Sequence, residues 1–230
     1  ILAWARAVLA AHDGLAAEAA ICRGQMVGQL RVGMVPLASL NPMQLIKPLA
    51  EKYPALQFSL LSMTSEQIID GVSRNQLDLG ICYLQHLDER LFKIARLPQT
   101  RMGLLHDKRH FDFSAGTPGW DTLAALPLGF LTKGMYYRES IEISFKAKGL
   151  TPTSVFESDS TFQIIQAVQA GICCAIMPLN NGLEALSDNL EILPIAETHV
   201  DSQLALIMRQ QEPVSSLAEK CFAEAQGIFG

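Results

Sequence analysis

Histidine and cysteine pairs are the first residues in this sequence whose spacing could support chemistry. His106 and His110 are four residues apart, as are Cys82 and His86, and a helix would place each pair on one face. Neither pair has further ligands at the spacing of a metal site. We therefore predict surface or core positions for these side chains, and neither a metal nor another cofactor.

The sequence has no motif that is typical of a nucleophilic or nucleotide-dependent enzyme. It contains no Gly-x-Ser-x-Gly, no phosphate-binding loop and no dinucleotide-binding glycine motif. Asp78, inside a Leu-Asp-Leu run, is an isolated carboxylate for which we expect a structural or strand-end role. We therefore predict that the chain is not an enzyme.

The cysteines indicate a reducing environment. The chain has five of them, and their spacing is not that of a disulfide framework. Cys173 and Cys174 fall in an apolar run, which favours buried structural thiols over a redox switch. No apolar run approaches the ~18 residues that a membrane helix needs. We predict a cytoplasmic location and no membrane partner.

The charge of the chain argues against direct DNA binding. The formal net charge is −5, and the 18 basic residues are scattered along the sequence. A protein that holds DNA by its phosphates usually carries a basic face. We therefore expect this chain alone to bind DNA poorly.

The first half of the sequence alternates strand and helix patterns. Apolar strands are predicted at 30–35, 56–60 and 77–83, and helices at 43–52 and after Thr64. Thr64 precedes Gln67 by three residues, which is the spacing of a capping box at a helix start.

The second half repeats this order about 97 residues later. Strands are predicted at 126–131, 153–156 and 172–177, and helices at 137–148 and after Ser160 or Asp159. Two such strand–helix repeats imply two α/β lobes with parallel sheets. The segments 101–106 and 203–208 would cross between the lobes, and ligands of open α/β sheets bind beyond the carboxyl ends of the strands.

Four segments together resemble one protein family. They are ILAWARAVLAAHDGLAAEA, GQLRVGMVPLASLNPMQLIKPLAEKYPALQFSLL, SEQIIDGVSRNQLDLGI and SDSTFQIIQAVQAGICCAIMP. In this order they resemble the linker helix and the effector domain of LysR-type transcription regulators. The resemblance covers nearly the whole chain.

The resemblance implies a fold and a domain organisation. The expected fold is α/β, with two lobes of periplasmic-binding-protein type II-like fold preceded by a linker helix. The linker or dimerisation helix would span 1–28, lobe I 29–101 and 203–230, and lobe II 102–202. A helix packed on its own domain is an equally good interpretation of the alanine-rich start. The winged helix-turn-helix of the family would lie outside this chain, so DNA would be bound only by that missing domain.

The resemblance also implies a ligand site in a cleft between the lobes. Carried over from the family, the candidate effector-binding residues are Leu37, Ala38, Ser39, Thr64, Ser65, Thr132, Lys133, Gly134 and Tyr136. Family members often have a small hydroxyl residue where this chain has Leu37, so the effector is expected to carry an apolar part.

The chemistry of these turns favours a small anion. Helix starts offer unpaired N–H groups and a positive dipole end, and Lys133 or Arg138 could add charge. Thr64 could equally serve only as a helix cap, and Lys133 could face solvent. The predicted function is effector sensing by a homodimeric or homotetrameric regulator; a periplasmic-type solute-binding protein is the alternative.

Overall fold

The chain forms two compact α/β units. The computed structural model describes residues 2–23, 26–38, 40–84, 87–99, 101–113, 116, 118–179, 182–196, 203–211 and 214–229. The first unit comprises Ile1–Val35, Asn41–Pro98 and Ser202–Gly230, and the second comprises Pro36–Leu40 and Gln99–Asp201. The α/β class predicted from the sequence is confirmed.

The described residues form seven α-helices and ten strands. The helices are α1 Leu2–Cys22, α2 Met43–Lys52, α3 Ser65–Ser73, α4 Trp120–Ala125, α5 Tyr136–Ala147, α6 Thr161–Gln169 and α7 Ser216–Phe229. The strands are β1 Gly28–Met34, β2 Leu56–Ser62, β3 Leu79–Tyr83, β4 Phe92–Arg96, β5 Met102–Asp107, β6 Leu128–Leu131, β7 Ser154–Ser158, β8 Cys174–Pro178, β9 Leu190–Pro194 and β10 Leu204–Arg209.

Each unit contains a mixed five-stranded sheet. The strand order is β2-β1-β3-β10-β4 in the first unit and β7-β6-β8-β5-β9 in the second. Parallel pairing joins β1 to β2 and β3, and β6 to β7 and β8. The expected parallel sheets are therefore present as three-stranded cores. β10 pairs antiparallel with β3 and with β4, and β5 pairs antiparallel with β8 and with β9. The sequence patterns did not reveal β4 and β9.

Helix boundaries follow the predicted capping signals. Thr64 and Gln67 form both hydrogen bonds of a capping box before α3, and Ser160 caps α6 by accepting a hydrogen bond from the Gln163 N–H. Gly171, which follows α6, has a φ of 72°, a left-handed conformation that favours glycine. These local signals fix where α3 and α6 start and, for α6, where it ends.

A side-chain pair in the first unit joins the middle of β1 to the residue that precedes β3. The Arg31 guanidinium donates two hydrogen bonds to Asp78, from Nε at 3.0 Å and from Nη2 at 2.8 Å. The Asp78 N–H in turn donates to the Arg31 carbonyl oxygen at 2.8 Å. Asp78 therefore has the structural role expected for it.

Helix α1 is attached to the first unit near its C-terminal end. The Glu18 carboxylate accepts hydrogen bonds from the N–H and, at 2.7 Å, from the hydroxyl of Ser216, the first residue of α7. Ala20, near the C-terminal end of α1, is buried. A carboxylate at a helix N-terminus also interacts favourably with the helix dipole.

Four of the five cysteines lie in the cores of the units. Cys82, Cys173, Cys174 and Cys221 are fully buried, whereas Cys22 at the end of α1 is exposed. Burial raises the pKa of the Cys173 thiol to about 11 and those of Cys82, Cys174 and Cys221 to about 12. Since only a thiolate reacts readily, these thiols should be inert in the folded protein.

We therefore expect a thiol reagent at pH 8 to modify one cysteine per folded chain. Cys22 should react rapidly, and the other four should react only after unfolding in urea, because the folded protein keeps them protonated and shielded. Time-resolved labelling followed by peptide mass spectrometry measures this. The Cys22→Ser variant is the control and should show no rapid phase. Rapid labelling of Cys173 or Cys174 in the folded chain would contradict the structural role.

Candidate functional site

The turn after β1 contains the first group of candidate residues. Leu37 is half-buried and has a φ of 57°, a left-handed conformation that costs a non-glycine residue about 1–2 kcal/mol. Ala38 is buried. Ser39 lies outside the described residues. This turn follows a strand of the first unit, yet residues 36–40 belong to the second unit by their contacts.

The start of α3 positions the two hydroxyls predicted in the first unit. Thr64 Oγ1 accepts from the Gln67 N–H at 3.4 Å, and Gln67 Oε1 accepts from the Thr64 N–H at 3.0 Å. Ser65 Oγ accepts from the N–H of Tyr83, the last residue of β3, at 3.4 Å. Thr64 and Ser65 therefore lie together at the carboxyl ends of β2 and β3, where an α/β sheet binds ligands.

The turn between β6 and α5 contains the candidates of the second unit. The Thr132 N–H donates to the carbonyl oxygen of Ser158, the last residue of β7, at 3.1 Å. Lys133 and Gly134 are exposed, and Gly134 has a φ of 88° with open space around the position of an added Cβ. Tyr136 is half-buried, and its carbonyl oxygen accepts from the Ser140 hydroxyl at 3.0 Å.

The N-terminus of α5 differs from that of α3. Its N-cap residue, Met135, has no side chain that could accept a hydrogen bond, and no side-chain cap is formed. The N–H groups of the first turn of an α-helix have no partner inside the helix. The start of α5 therefore presents the positive end of its helix dipole next to Thr132 and Gly134.

Of the two cationic side chains predicted near this turn, one is exposed and the other is buried. Lys133 is exposed, in agreement with its solvent-facing interpretation. Arg138 is buried: its Nε donates to Glu142 at 2.7 Å, and its guanidinium lies 3.8 Å from the centre of the Phe130 ring. The charge of Arg138 is thus already compensated by Glu142 and stacked on an aromatic ring.

The structure adds a third polar turn that the sequence interpretation did not include. The Ser158 hydroxyl donates to Gln163 Oε1 at 2.6 Å and accepts from the Ser160 N–H at 3.0 Å. This turn precedes α6 as the turn at Thr64 precedes α3. The internal repeat of about 97 residues could have revealed it, because it aligns this segment with 61–66.

The histidine and cysteine pairs form no ligand set in the part of the chain that is described. His106 is buried against the Phe113 ring at 4.9 Å between centroids, and His110 is exposed. His86 lies outside the described residues. Among the described residues, no group of three or more His, Cys, Asp or Glu side chains could hold a metal ion.

No helix in the described ranges combines the length and apolarity needed to cross a bilayer. The chemistry available at the two turns is hydrogen bonding by hydroxyls and by helix-start N–H groups. Such donors suit a small polar or anionic ligand.

Comparison with known proteins identifies the family. A family model described as the LysR substrate binding domain matches residues 23–228. The chain belongs to this family. Its match to the "HTH-type transcriptional regulator CbbR" of Rhodospirillum rubrum is 24% identical and covers 97% of this chain and 74% of that protein.

Solved structures of LysR proteins share the fold. The structure of "CbnR, a LysR family transcriptional regulator" aligns with a TM-score of 0.73 and 17% identity, covering 98% of this chain and 78% of CbnR. The CcmR regulatory domain of Synechocystis, described as being in complex with 2-PG, aligns with a TM-score of 0.72 and 17% identity, covering 87% of this chain and 97% of that domain.

These matches confirm the periplasmic-binding-protein type II-like fold expected from the sequence. They also favour the regulator over the periplasmic alternative, since the family described for 23–228 is a LysR domain. The function of the chain is that of a LysR substrate-binding domain.

The capping box gives a direct test of the local role of Thr64. Thr64→Val removes the acceptor for the Gln67 N–H, so the free energy of unfolding should fall by about 0.5–2 kcal/mol. Thr64→Ser retains the hydroxyl and should change stability by less. Urea unfolding measures both variants. Ser160→Ala is the matched control, since it removes the equivalent cap of α6 and should cost a similar amount. Unchanged stability in Thr64→Val would show that the cap contributes nothing.

Proposed function

We propose that this LysR domain binds a small anionic effector through the helix starts of α3 and α5. The observation that carries the proposal is the uncapped start of α5, next to Thr132 and Gly134. The positive end of a helix dipole stabilises a carboxylate or phosphate. The first unit contributes hydroxyls at the start of α3.

Capping and ligand binding are compatible at Thr64 and Ser65. A hydroxyl group has one donor and two acceptor positions. In the capping box Thr64 Oγ1 acts as an acceptor, and Ser65 Oγ acts as an acceptor for Tyr83. The O–H of each side chain can therefore donate to an anion without loss of the existing hydrogen bond.

The remaining candidates complete the proposed site. Lys133, which is exposed, would add long-range attraction for an anion, while Leu37, Ala38 and Tyr136 would contact an apolar part of the effector. Ser39 stays in the proposal on the family resemblance alone. A ligand with both an acidic and an apolar group fits these candidate residues best.

We further propose that the domain acts in the cytoplasm as part of a transcription regulator and is not an enzyme. The unpaired, buried cysteines fit a reducing compartment. The net charge of −5 fits a chain that leaves contact with DNA phosphates to other residues of the regulator.

A pair of nearly isosteric variants at Thr64 separates the electrostatic role from the capping role. Asn and Asp are both good N-caps, so Thr64→Asn and Thr64→Asp should fold with similar stability. Only Asp adds a negative charge beside the proposed anion. We expect Thr64→Asp to weaken effector binding about tenfold or more, and Thr64→Asn to weaken it by less, because like charges repel at close range.

The effector is first selected by thermal shift of the unmodified chain, with 2-PG and a panel of small carboxylates, neutral sugars and amines as probes. Calorimetric titration of the best anion into the two variants then gives the affinities. Equal affinities of Thr64→Asn and Thr64→Asp would remove Thr64 from the site. A panel in which only amines raise the melting temperature would contradict the anion proposal itself.

We also propose that α1 forms a dimer contact. Trp4, Val8 and Leu15 are 79%, 67% and 71% exposed, and their spacing places them on one face of the helix. Monomeric proteins rarely expose a continuous apolar stripe. A second copy of α1 would cover this stripe, since symmetric dimers are the usual form of homo-oligomers.

Charge on the exposed stripe of α1 should therefore weaken self-association. The double variant Trp4→Glu, Leu15→Glu buries two carboxylates in the proposed contact, and its dissociation constant should rise at least about tenfold. Sedimentation equilibrium measures the change. Leu186→Glu, which places a charge at an exposed leucine of the second unit, is the control and should leave self-association unchanged. A monomeric parent chain at high concentration would contradict the proposal.

A further inference from the structure

Leu37 holds a conformation that its own backbone disfavours. It follows Pro36 in a turn and has a φ of 57°, a value that glycine adopts without strain and leucine does not. Strained residues persist only where surrounding contacts determine their position. The contacts of the Leu37 side chain must therefore offset the strain of its backbone.

Those contacts are made with the hydrophobic core of the second unit. The side chain of Leu37 packs, together with Met135, Phe156, Leu183 and Ile192, against a cluster of buried residues. The cluster comprises Leu105, Leu131, Ile164, Ile165, Ala167, Val168, Cys173, Ala175, Met177 and Leu190. The turn of residues 36–40 belongs to the second unit.

The members of this cluster include the carboxyl ends of two parallel strands. Leu131 is the last residue of β6, and Met177 is the next-to-last residue of β8. Met135 directly precedes α5. The carboxyl ends of parallel strands are the ligand-binding edge of an α/β sheet. Leu37 therefore packs against a cluster that extends to the edge where a ligand of this unit would bind.

We propose that this edge of the cluster is a subsite for an apolar group of the effector, and that Leu37 occupies the subsite in the ligand-free protein. An effector that carries an apolar group displaces Leu37 and takes over its contacts. This inference rests on the proposed effector-binding function and adds one point to it: Leu37 competes with the apolar group of the effector for this cluster.

Three features make the exchange of Leu37 for a ligand feasible. Leu37 is only half-buried, so it can leave without opening the rest of the core. Its departure releases the strain of its positive φ. The thioethers of Met135 and Met177 are flexible and adapt to ligands of different shape.

Leu37→Gly tests the competition directly, because glycine removes the occupant and tolerates the positive φ. The probes are benzene, phenylacetate and acetate, titrated into protein labelled with ¹³C at the methionine methyl groups. We expect phenylacetate and benzene to bind Leu37→Gly about tenfold or more tightly than the unmodified chain, since a leucine side chain no longer has to be displaced. The Met135 and Met177 methyl signals should shift, and acetate should bind both proteins equally.

Two further variants keep the test decisive. Leu190→Gly removes the same side chain from the same cluster, away from the turn, and should gain no affinity for phenylacetate. Leu37→Ala replaces Leu37→Gly if the glycine variant does not fold. In a second sample of the unmodified chain, labelled with ¹³C at the leucine methyl groups, saturation with phenylacetate should move the Leu37 methyl signals.

The outcomes separate this inference from the anion proposal. Equal affinities of Leu37→Gly and the unmodified chain for benzene, or shifts confined to methionines other than Met135 and Met177, would overturn the subsite. Tighter benzene binding with no additional gain for phenylacetate would leave the subsite standing and would count against an anionic effector.

Discussion

Parallel pairing of three strands in each unit is the constraint on which the rest of the structure depends. β1 pairs with β2 and β3 so that Met34 lies opposite Ser62 and Ile81, and the three strands end at one edge of the sheet. The hydrogen bond from the Met63 N–H to the Met34 carbonyl oxygen continues this register into the turn before Thr64. The positions of Thr64 and Ser65 follow from that shared edge, and those of Thr132 and Gly134 follow from the end of β6, which pairs in the same way with β7 and β8 in the second unit.

Local signals in the sequence were sufficient to predict the helices and strands around the site. The capping box at Thr64 and Gln67 involves residues three apart, and glycine after α6 adopts the left-handed conformation that ends a helix. Apolar runs such as 77–83 predicted the central strands, in this case β3, because a strand that is covered on both faces has few polar residues. In each of these cases the sequence signal that predicts the element lies within a few neighbouring residues.

Features set by distant parts of the chain could not be predicted in this way. β4 and β9 are five-residue edge strands whose partners, β10 and β5, are recruited from far along the sequence. Arg138 carries a charge, yet it is buried because Glu142 and the Phe130 ring surround its guanidinium. The left-handed φ of Leu37 likewise follows from packing on the second unit and not from its own preference.

The hydrogen bonds between Glu18 and Ser216 make α1 a lever arm fixed at one end. The helix has 21 residues, which at about 1.5 Å per residue gives a length of about 30 Å. With Glu18 held by the start of α7, most of the helix lies on the N-terminal side of this contact, toward Trp4. A rotation of the first unit by about 5° would then sweep the far end of the arm through about 3 Å, given that length. A rotation of the first unit that is too small to break any contact within it therefore produces a larger displacement at the N-terminal end of α1.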